Sequence, residues 1–507
     1  MKKLTFSILL LSLVLCSSSF AQDEKSVQEA KYIPIQNNGR IKSFDSFARQ
    51  TLERITGKDR WQKKEAVAIL LEMLGDEKKI AGEAWIHINH TGLKKKLGLD
   101  PGKDFFSLET LKPLNDQIME LVQSAKQKRD QDLRPEKLEQ KAESLWIQIK
   151  TVEKLVSGEL ITVIPHEKAW LSPFIVYPGS KWTDHTAQAP SPEISKNKIA
   201  LEVFYTSYKP FEWASFIYFL AFFILTLCKQ KKTLFKIGIL SLGLAFCLHT
   251  LGIALRVIVL GRPPVSNMYE SMIFMTWALV LFACFFSMIQ RNTLALAVSA
   301  LAGSLVMIYG NLLPIDAHME VLVPVLRSNY WLTIHVMTIV SSYGAFGLAM
   351  ALGHRHLIRQ SSGEWSKATQ EESSWLIYRV IQLGTILIGT GTFLGGVWAN
   401  ESWGRFWGWD PKETWAFISF LVYLAIVHLY YLKKIGSFGL ALWSVLGFQF
   451  ILMTWYGVNF VLGRGLHSYG AGTGGMQWVI YYLIFEAIFL GWVAYSFQNL
   501  QKRNIRR

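Results

Sequence analysis

The stretch Trp403–Trp415 reads W-G-R-F-W-G-W-D-P-K-E-T-W and places four tryptophans in thirteen positions, directly before an apolar run. Indole rings at this density offer a broad flat surface, and a large flat aromatic ligand such as haem matches it. The competing reading is an interfacial belt, because Trp and Tyr gather where helices leave a membrane. Belt residues are scattered singly at helix ends, whereas Trp403, Trp407 and Trp409 are interleaved with Gly404 and Gly408. Glycine lets a backbone approach a ligand face closely or take unusual turns. The residues alone leave both readings open.

A haem iron needs axial ligands, and histidine is a common one. Which of the 11 histidines can serve depends on where the chain places them. The 507 residues are 51% hydrophobic and 13% aromatic, with mean hydropathy +0.23, too apolar for a wholly soluble protein. From Trp213 onward, apolar spans fall near 213–228, 234–260, 270–289, 293–313, 330–353, 375–398, 413–432, 438–461 and 477–497. Each is near or above the roughly 20 residues that cross a hydrocarbon core.

Charge then orients the spans. Residues 211–507 hold 21 Lys+Arg and 11 Asp+Glu, and 15 of those cations fall in alternate loops and the tail, against only Glu364, Glu371 and Glu372. That asymmetry follows the positive-inside rule and predicts nine spans running from an outer N-terminus to an inner C-terminus. The net charge of +15 therefore gives no reason to invoke nucleic acid.

Under this topology, His335 lies about one and a half turns below the outer surface. His467 lies in the glycine-rich outer loop Gly463–Gly475, and the tryptophan stretch occupies the outer loop between the two in sequence order. Two histidines and an aromatic loop on one side could ligate one haem. His428 and His249 fall roughly 22 Å and 18 Å from the same face, by helical rise. Similar depths would let them share a second, intramembrane ligand. The alternative for each is a core histidine hydrogen-bonded to a neighbouring helix, which is favoured for His249.

Asp410-Pro411-Lys412-Glu413 reads as a helix start: an N-cap acceptor, proline at N1 and glutamate at N3. Capping accounts for Asp410 and Glu413 without catalysis. Arg405, Lys412 and Arg464 are outer cations that either meet carboxylates, such as haem propionates, or anchor the interface.

The first 21 residues have a basic start, an apolar core and a Ser19-Phe20-Ala21 site, and read as a secretory signal. Cys16 invites a lipoprotein reading, which bulky Leu15 disfavours. Residues 22–210 hold no long apolar run but carry helical stripes, Phe44, Phe47, Ala48, Leu52 and Ile55, then Leu138, Ala142, Leu145, Ile149, Val152 and Val156. A mainly helical soluble domain outside the cytoplasmic membrane is expected, with an irregular segment between Pro165 and Pro192. The four cysteines form no C-x-x-C pair, and there is no phosphate-binding loop or nucleophile elbow.

W-G-x-x-W-x-W-D, as Trp403, Gly404, Trp407, Trp409 and Asp410, resembles the signature of haem-handling membrane proteins of cytochrome c maturation. The order Trp331-x-x-x-His335, tryptophan loop (near 398–412), His428, His467 is similar to the CcsA/ResC type of System II. Gly261–Ser271 looks like an outer loop of that type, and Ile33–Leu52 like the stretch joining the two parts of fused CcsBA proteins. The resemblance implies a polytopic α-helical protein in the bacterial inner membrane that holds haem b as substrate. It implies His335 and His467 as periplasmic axial ligands, the tryptophans as a platform, and His428 as a ligand of an intramembrane entry site. The partner histidine of His428 would come from a separate CcsB/ResB-like protein, or His249 would stand in.

The implied activity is a holocytochrome c synthase (haem lyase), attaching haem to C-x-x-C-H motifs of apocytochrome c. Alternatives are a CcmC-type carrier that loads a chaperone, a cytochrome b-like electron carrier, or a transporter whose tryptophans are only a belt.

Overall fold

The structure is a computed structural model. It describes residues 25–505 except 76, 132, 134, 164–171, 173–195, 228–230, 291–292, 314–316, 323–325, 327, 364 and 463–474. The signal segment 1–21, Cys16, most of Pro165–Pro192, Arg464 and His467 thus lie outside the described residues. Two compact units meet in sequence at Tyr208 and Lys209.

In the first unit the helical stripes become the core. Phe44, Phe47, Ala48, Leu52 and Ile55 of helix Phe44–Thr56 are buried, as are Ala142, Leu145, Ile149 and Val152 of helix Lys137–Val156. Ser43 caps the first helix by accepting from the Ser46 amide, and Gly57 ends it at φ +73°. Three two-stranded antiparallel pairs join these helices: Pro34–Asn37 with Arg40–Ser43, Arg60–Trp61 with Lys64–Glu65, and Ile86–His87 with Phe105–Phe106. Helix Lys196–Tyr208 packs on the first pair, where buried Glu202 pairs with Arg40 and accepts from the Ser43 amide at 3.2 Å.

The second unit contains, among the described residues, nine helices long and apolar enough to cross a membrane. They are α1 (Pro210–Leu227), α2 (Lys232–Leu260), α3 (Met268–Gln290), α4 (Leu294–Leu312), α5 (Asn329–Ser362), α6 (Lys367–Trp403), α7 (Pro411–Tyr431), α8 (Ser437–Leu462) and α9 (Met476–Leu500). The expected spans agree with them in number and order. The largest differences are at α5 and α6, which run past the apolar windows 330–353 and 375–398. Their polar ends, around Arg355–Gln360 and Lys367–Glu372, are helical without being apolar. Gly363 at φ +75° closes α5, and Ser366 caps α6 through the Thr369 amide.

Helix α5 is the hub, packing against α3, α4, α6, α8 and α9. Small residues make this possible, since close backbone approach drives helix association in membranes. A Cβ on Gly344 would stand 2.6 Å from the Met275 carbonyl oxygen of α3. On Gly353 it would stand 2.9 Å from the Ala441 carbonyl oxygen of α8. Overpacking such a contact costs about 1–3 kcal/mol. Gly344→Leu is therefore expected to lower the melting temperature of the purified full-length protein in detergent. Gly243→Leu, at a position where an added Cβ would meet nothing within 4 Å, is expected to leave it unchanged. Equal effects of the two substitutions would contradict the packing account.

Candidate functional site

His335 is set by an irregularity at the start of α5. After the short α-turn Asn329–Trp331, residues Leu332–Val336 wind as a π-helix, a rare form frequent at functional sites. The His335 Nδ1 lies 2.8 Å from the Gly391 carbonyl of α6. A carbonyl only accepts, so Nδ1 carries the proton and Nε2 is the basic nitrogen. This is the arrangement by which a backbone carbonyl orients a ligating imidazole. Glycines on α6 leave room for the ring, for a Cβ on Gly395 would come within 2.6 Å of His335 Cε1. Trp398 lies edge-on to the imidazole, 5.6 Å between centroids, and stacks on Trp331. The Trp331 indole donates in turn to Glu401 at 2.7 Å.

The tryptophan loop leaves α6 through Gly404 at φ +69° and enters α7 through Asp410. Asp410 caps α7 by accepting from the Lys412 amide at 3.0 Å, and Glu413 completes the capping box. Glu413 Oε2 accepts from the amides of Gly408 (2.8 Å) and Asp410 (3.2 Å). Its Oε1 faces Arg405 at 3.5 Å, while the Arg405 guanidinium also lies over the Trp403 ring. Trp409 is held at φ +57°, a costly conformation for a bulky residue, and the residue is 69% exposed. Trp407 turns its edge to both Trp409 and Phe417.

Trp407 and His335 line one cavity, which encloses about 1100 Å³ of empty space counting the part open to solvent. Its walls come from the loop before α3 (Val265–Met268), from α5, α6 and α7, and from Trp455 and Asn459 of α8. Most of the lining is apolar, with His335, Lys412, Glu413 and Asn459 as its principal polar groups. Trp403, Trp409 and Arg405 do not contribute to it, and Trp407 meets Trp409 at 88°, so these rings do not form one plane. Trp415 lies within α7, its backbone carbonyl accepting from the Thr454 hydroxyl of α8 at 3.0 Å. The α8 segment Met453–Leu462, which carries Trp455 and Asn459, is also a π-helix.

The cavity rim carries a charge network that the motifs alone do not reveal. Buried Glu270 accepts from Arg256 (2.9 Å), Arg262 (3.0 Å), the Ser266 amide (3.0 Å) and the Ser266 hydroxyl (2.7 Å). The two arginines also donate to the carbonyls of Ala317 and Glu320, joining the segments before α3 and α5. A signal for it exists in the sequence, since Arg256 and Glu270 are charges at the margins of apolar runs.

The other two histidines sit apart. His249 is fully buried in α2, which packs on α1, α3 and α4. Its Nε2 donates to the Ile273 carbonyl (3.1 Å) and its Nδ1 faces the Tyr218 hydroxyl (3.4 Å), so both nitrogens are engaged. His428 is on α7, which packs on α6 and α8; it is exposed, with Nδ1 donating to the Leu424 carbonyl of its own helix (2.8 Å). No group of three or more His, Cys, Asp or Glu poised for a metal ion occurs among the described residues.

If Asp410 serves as a cap, its charge is dispensable. Asp410→Asn is expected to keep the protein's thermal stability, whereas Asp410→Ala loses about 0.5–2 kcal/mol, the usual cost of a lost N-cap. Melting in detergent reads both, and equal loss in the two variants would point to a use for the carboxylate itself.

A family model described as cytochrome C assembly protein matches residues 265–467, from the cavity's first wall residue to His467. Protein NrfI of Wolinella succinogenes is 43% identical over 232 residues, 45% of this chain and 25% of its own length. The chain thus spans about a quarter of that relative. Cytochrome c biogenesis protein CcsA of Prochlorococcus marinus is 35% identical over 272 residues, 48% of this chain and 86% of its own length. CcsA of Guillardia theta is 35% identical over 268 residues, 48% of this chain and 88% of its own length. With two CcsA relatives covered over 86% and 88% of their length, this multi-pass membrane protein belongs to the CcsA-type family of cytochrome c biogenesis proteins.

Proposed function

We propose that the chain receives haem b, as substrate, in the cavity below the tryptophan loop and presents it for covalent attachment to apocytochrome c. The observation that carries this reading is the His335 imidazole, fixed by the Gly391 carbonyl and placed in the same apolar cavity as Trp407. An apolar slot with one oriented imidazole suits a metalloporphyrin face better than a polar metabolite. His467 supplies the second axial ligand. In sequence it follows the α8 segment whose Trp455 and Asn459 line the cavity.

Each thioether forms when a cysteine S–H adds across a haem vinyl double bond. Sulfur bonds to one carbon, the hydrogen goes to the other, and no net oxidation occurs. The chain's part is to hold the iron between two imidazoles, to keep the macrocycle in a dry slot and to leave a vinyl edge accessible. The histidine of the incoming C-x-x-C-H motif then replaces one axial ligand and releases the product. His428 is the chain's ligand at a separate entry site, completed by a CcsB/ResB-like membrane protein. The engaged nitrogens of His249 favour that partner over an internal pair. The charge asymmetry of the loops supports a cavity, and a 22–210 unit, on the periplasmic side of the inner membrane.

Purified full-length protein is expected to show a reduced bis-histidine haem spectrum. His335→Ala and His467→Ala should each remove it or weaken haem retention by about tenfold or more. Gly395→Val, which would displace the His335 ring, should act in the same direction. Full haem occupancy in both histidine variants would overturn the outer-site reading. Co-expression with an apocytochrome c and a CcsB-like partner should yield covalent haem on the acceptor. Haem passed only to a non-covalent carrier would favour the CcmC-type alternative.

A further inference from the structure

The cavity contains a cation with no carboxylate against it. Lys412 lines it together with His335 and Trp407, and its ammonium's partner is the neutral Asn459 Oδ1, at 3.5 Å. No ion pair of that ammonium occurs among the described residues, and the Asp410 carboxylate, two positions earlier in the chain, acts on its charge from a distance without bonding to it. The two acidic neighbours in sequence are committed elsewhere. Asp410 caps α7, and Glu413 accepts from two backbone amides and faces Arg405. Arg405, the other cation of the loop, is held by Glu413 and Trp403 and stays outside the cavity lining.

A lysine ammonium against mostly apolar walls is unfavourable unless an anion joins it. The occupant that satisfies this cavity must therefore offer a large apolar body, a centre for an imidazole nitrogen and a carboxylate. We propose that Lys412 is the carboxylate-recognition residue of the cavity and binds a propionate of the haem whose iron is held by His335. This rests on the haem reading above and adds to it a specificity determinant: the ligand is chosen for its acid side chain as well as its metal. Lys412 is a binding residue, with no part in forming the thioether.

The test is a titration of purified full-length protein in detergent with ferrous haem and, separately, with ferrous haem dimethyl ester, in which both propionates are esterified. Wild type should bind haem about tenfold or more tightly than the diester, the effect of one charged hydrogen bond. Lys412→Gln should lose that preference by weakening haem alone, while Lys412→Arg should keep most of it. Wild-type protein that binds haem and diester equally overturns the proposal without reliance on any variant. So does a Lys412→Gln protein that elutes as wild type and still prefers haem. Either result leaves His335 as a ligand if His335→Ala abolishes the spectrum. Failure of wild type to bind either compound would retire the haem reading and this proposal together.

Discussion

The contact on which the site depends is the close approach of α5 to α6. It rests on Gly391, where an added Cβ would stand 2.6 Å from Ile339 of α5, and on Gly395, where it would meet the His335 ring. The hydrogen bond from Nδ1 to the Gly391 carbonyl crosses that gap at 2.8 Å. An α-helical carbonyl is normally satisfied within its own helix, so a second donor needs access that only a small residue provides. Any larger side chain at Gly395 would push the ring away, and its orientation would be lost with it. The π-turn at Leu332–Val336 belongs to the same arrangement, since it rephases α5 locally while the rest of the helix keeps its packing as the hub of the bundle.

Around that contact, the end of the bundle that carries the cavity is stiffened by carboxylates used in local bonding. Glu270 ties together Arg256, Arg262 and Ser266, and Glu413 ties together Arg405 and two backbone amides. A buried ion network adds little net stability against an apolar replacement, but breaking one member leaves an uncompensated charge. Its value here is positional. The loops before α3 and α7 are irregular backbone, and fixed carboxylates hold them as two walls of one cavity. Trp409 at positive φ shows the same over-determination, since an unfavourable backbone conformation persists only where its surroundings enforce it.

The membrane helices were legible because hydropathy and length carry nearly all the information that nine crossings require. The helix ends were less so. Helix α5 continues to Ser362 and α6 starts at Lys367 on residues that are polar yet good helix formers. The capping role of Asp410 and Glu413 was readable from four residues, because a capping box is a local device. The π-segments and the α5–α6 glycine contact were not, as both arise from tertiary packing. In the first unit the hairpin at Asn38-Gly39 has positive φ at both turn residues, and its Asn-Gly pair is a strong local signal. The helical stripes that follow it dominate the pattern of that region and mask the short strands.

Flatness was the property that the tryptophans first implied, and the structure distributes the indoles differently. Trp407 faces the cavity, Trp403 supports Arg405, and Trp409 stands in the open. The exposed Trp409 is open to contact from beyond the chain, while Trp407 faces the cavity. A corresponding contrast holds for the histidines. His335 is oriented by another helix, but His428 has only a carbonyl of its own helix, on an exposed face of α7. Polar groups within a membrane normally face a bundle interior, because contact with acyl chains is costly. A covering helix would remove that cost at His428, whereas His249 already has the interior partners that remove it. Under the entry site proposed above, this difference in surroundings is the physical reason to look for its second ligand on another membrane protein.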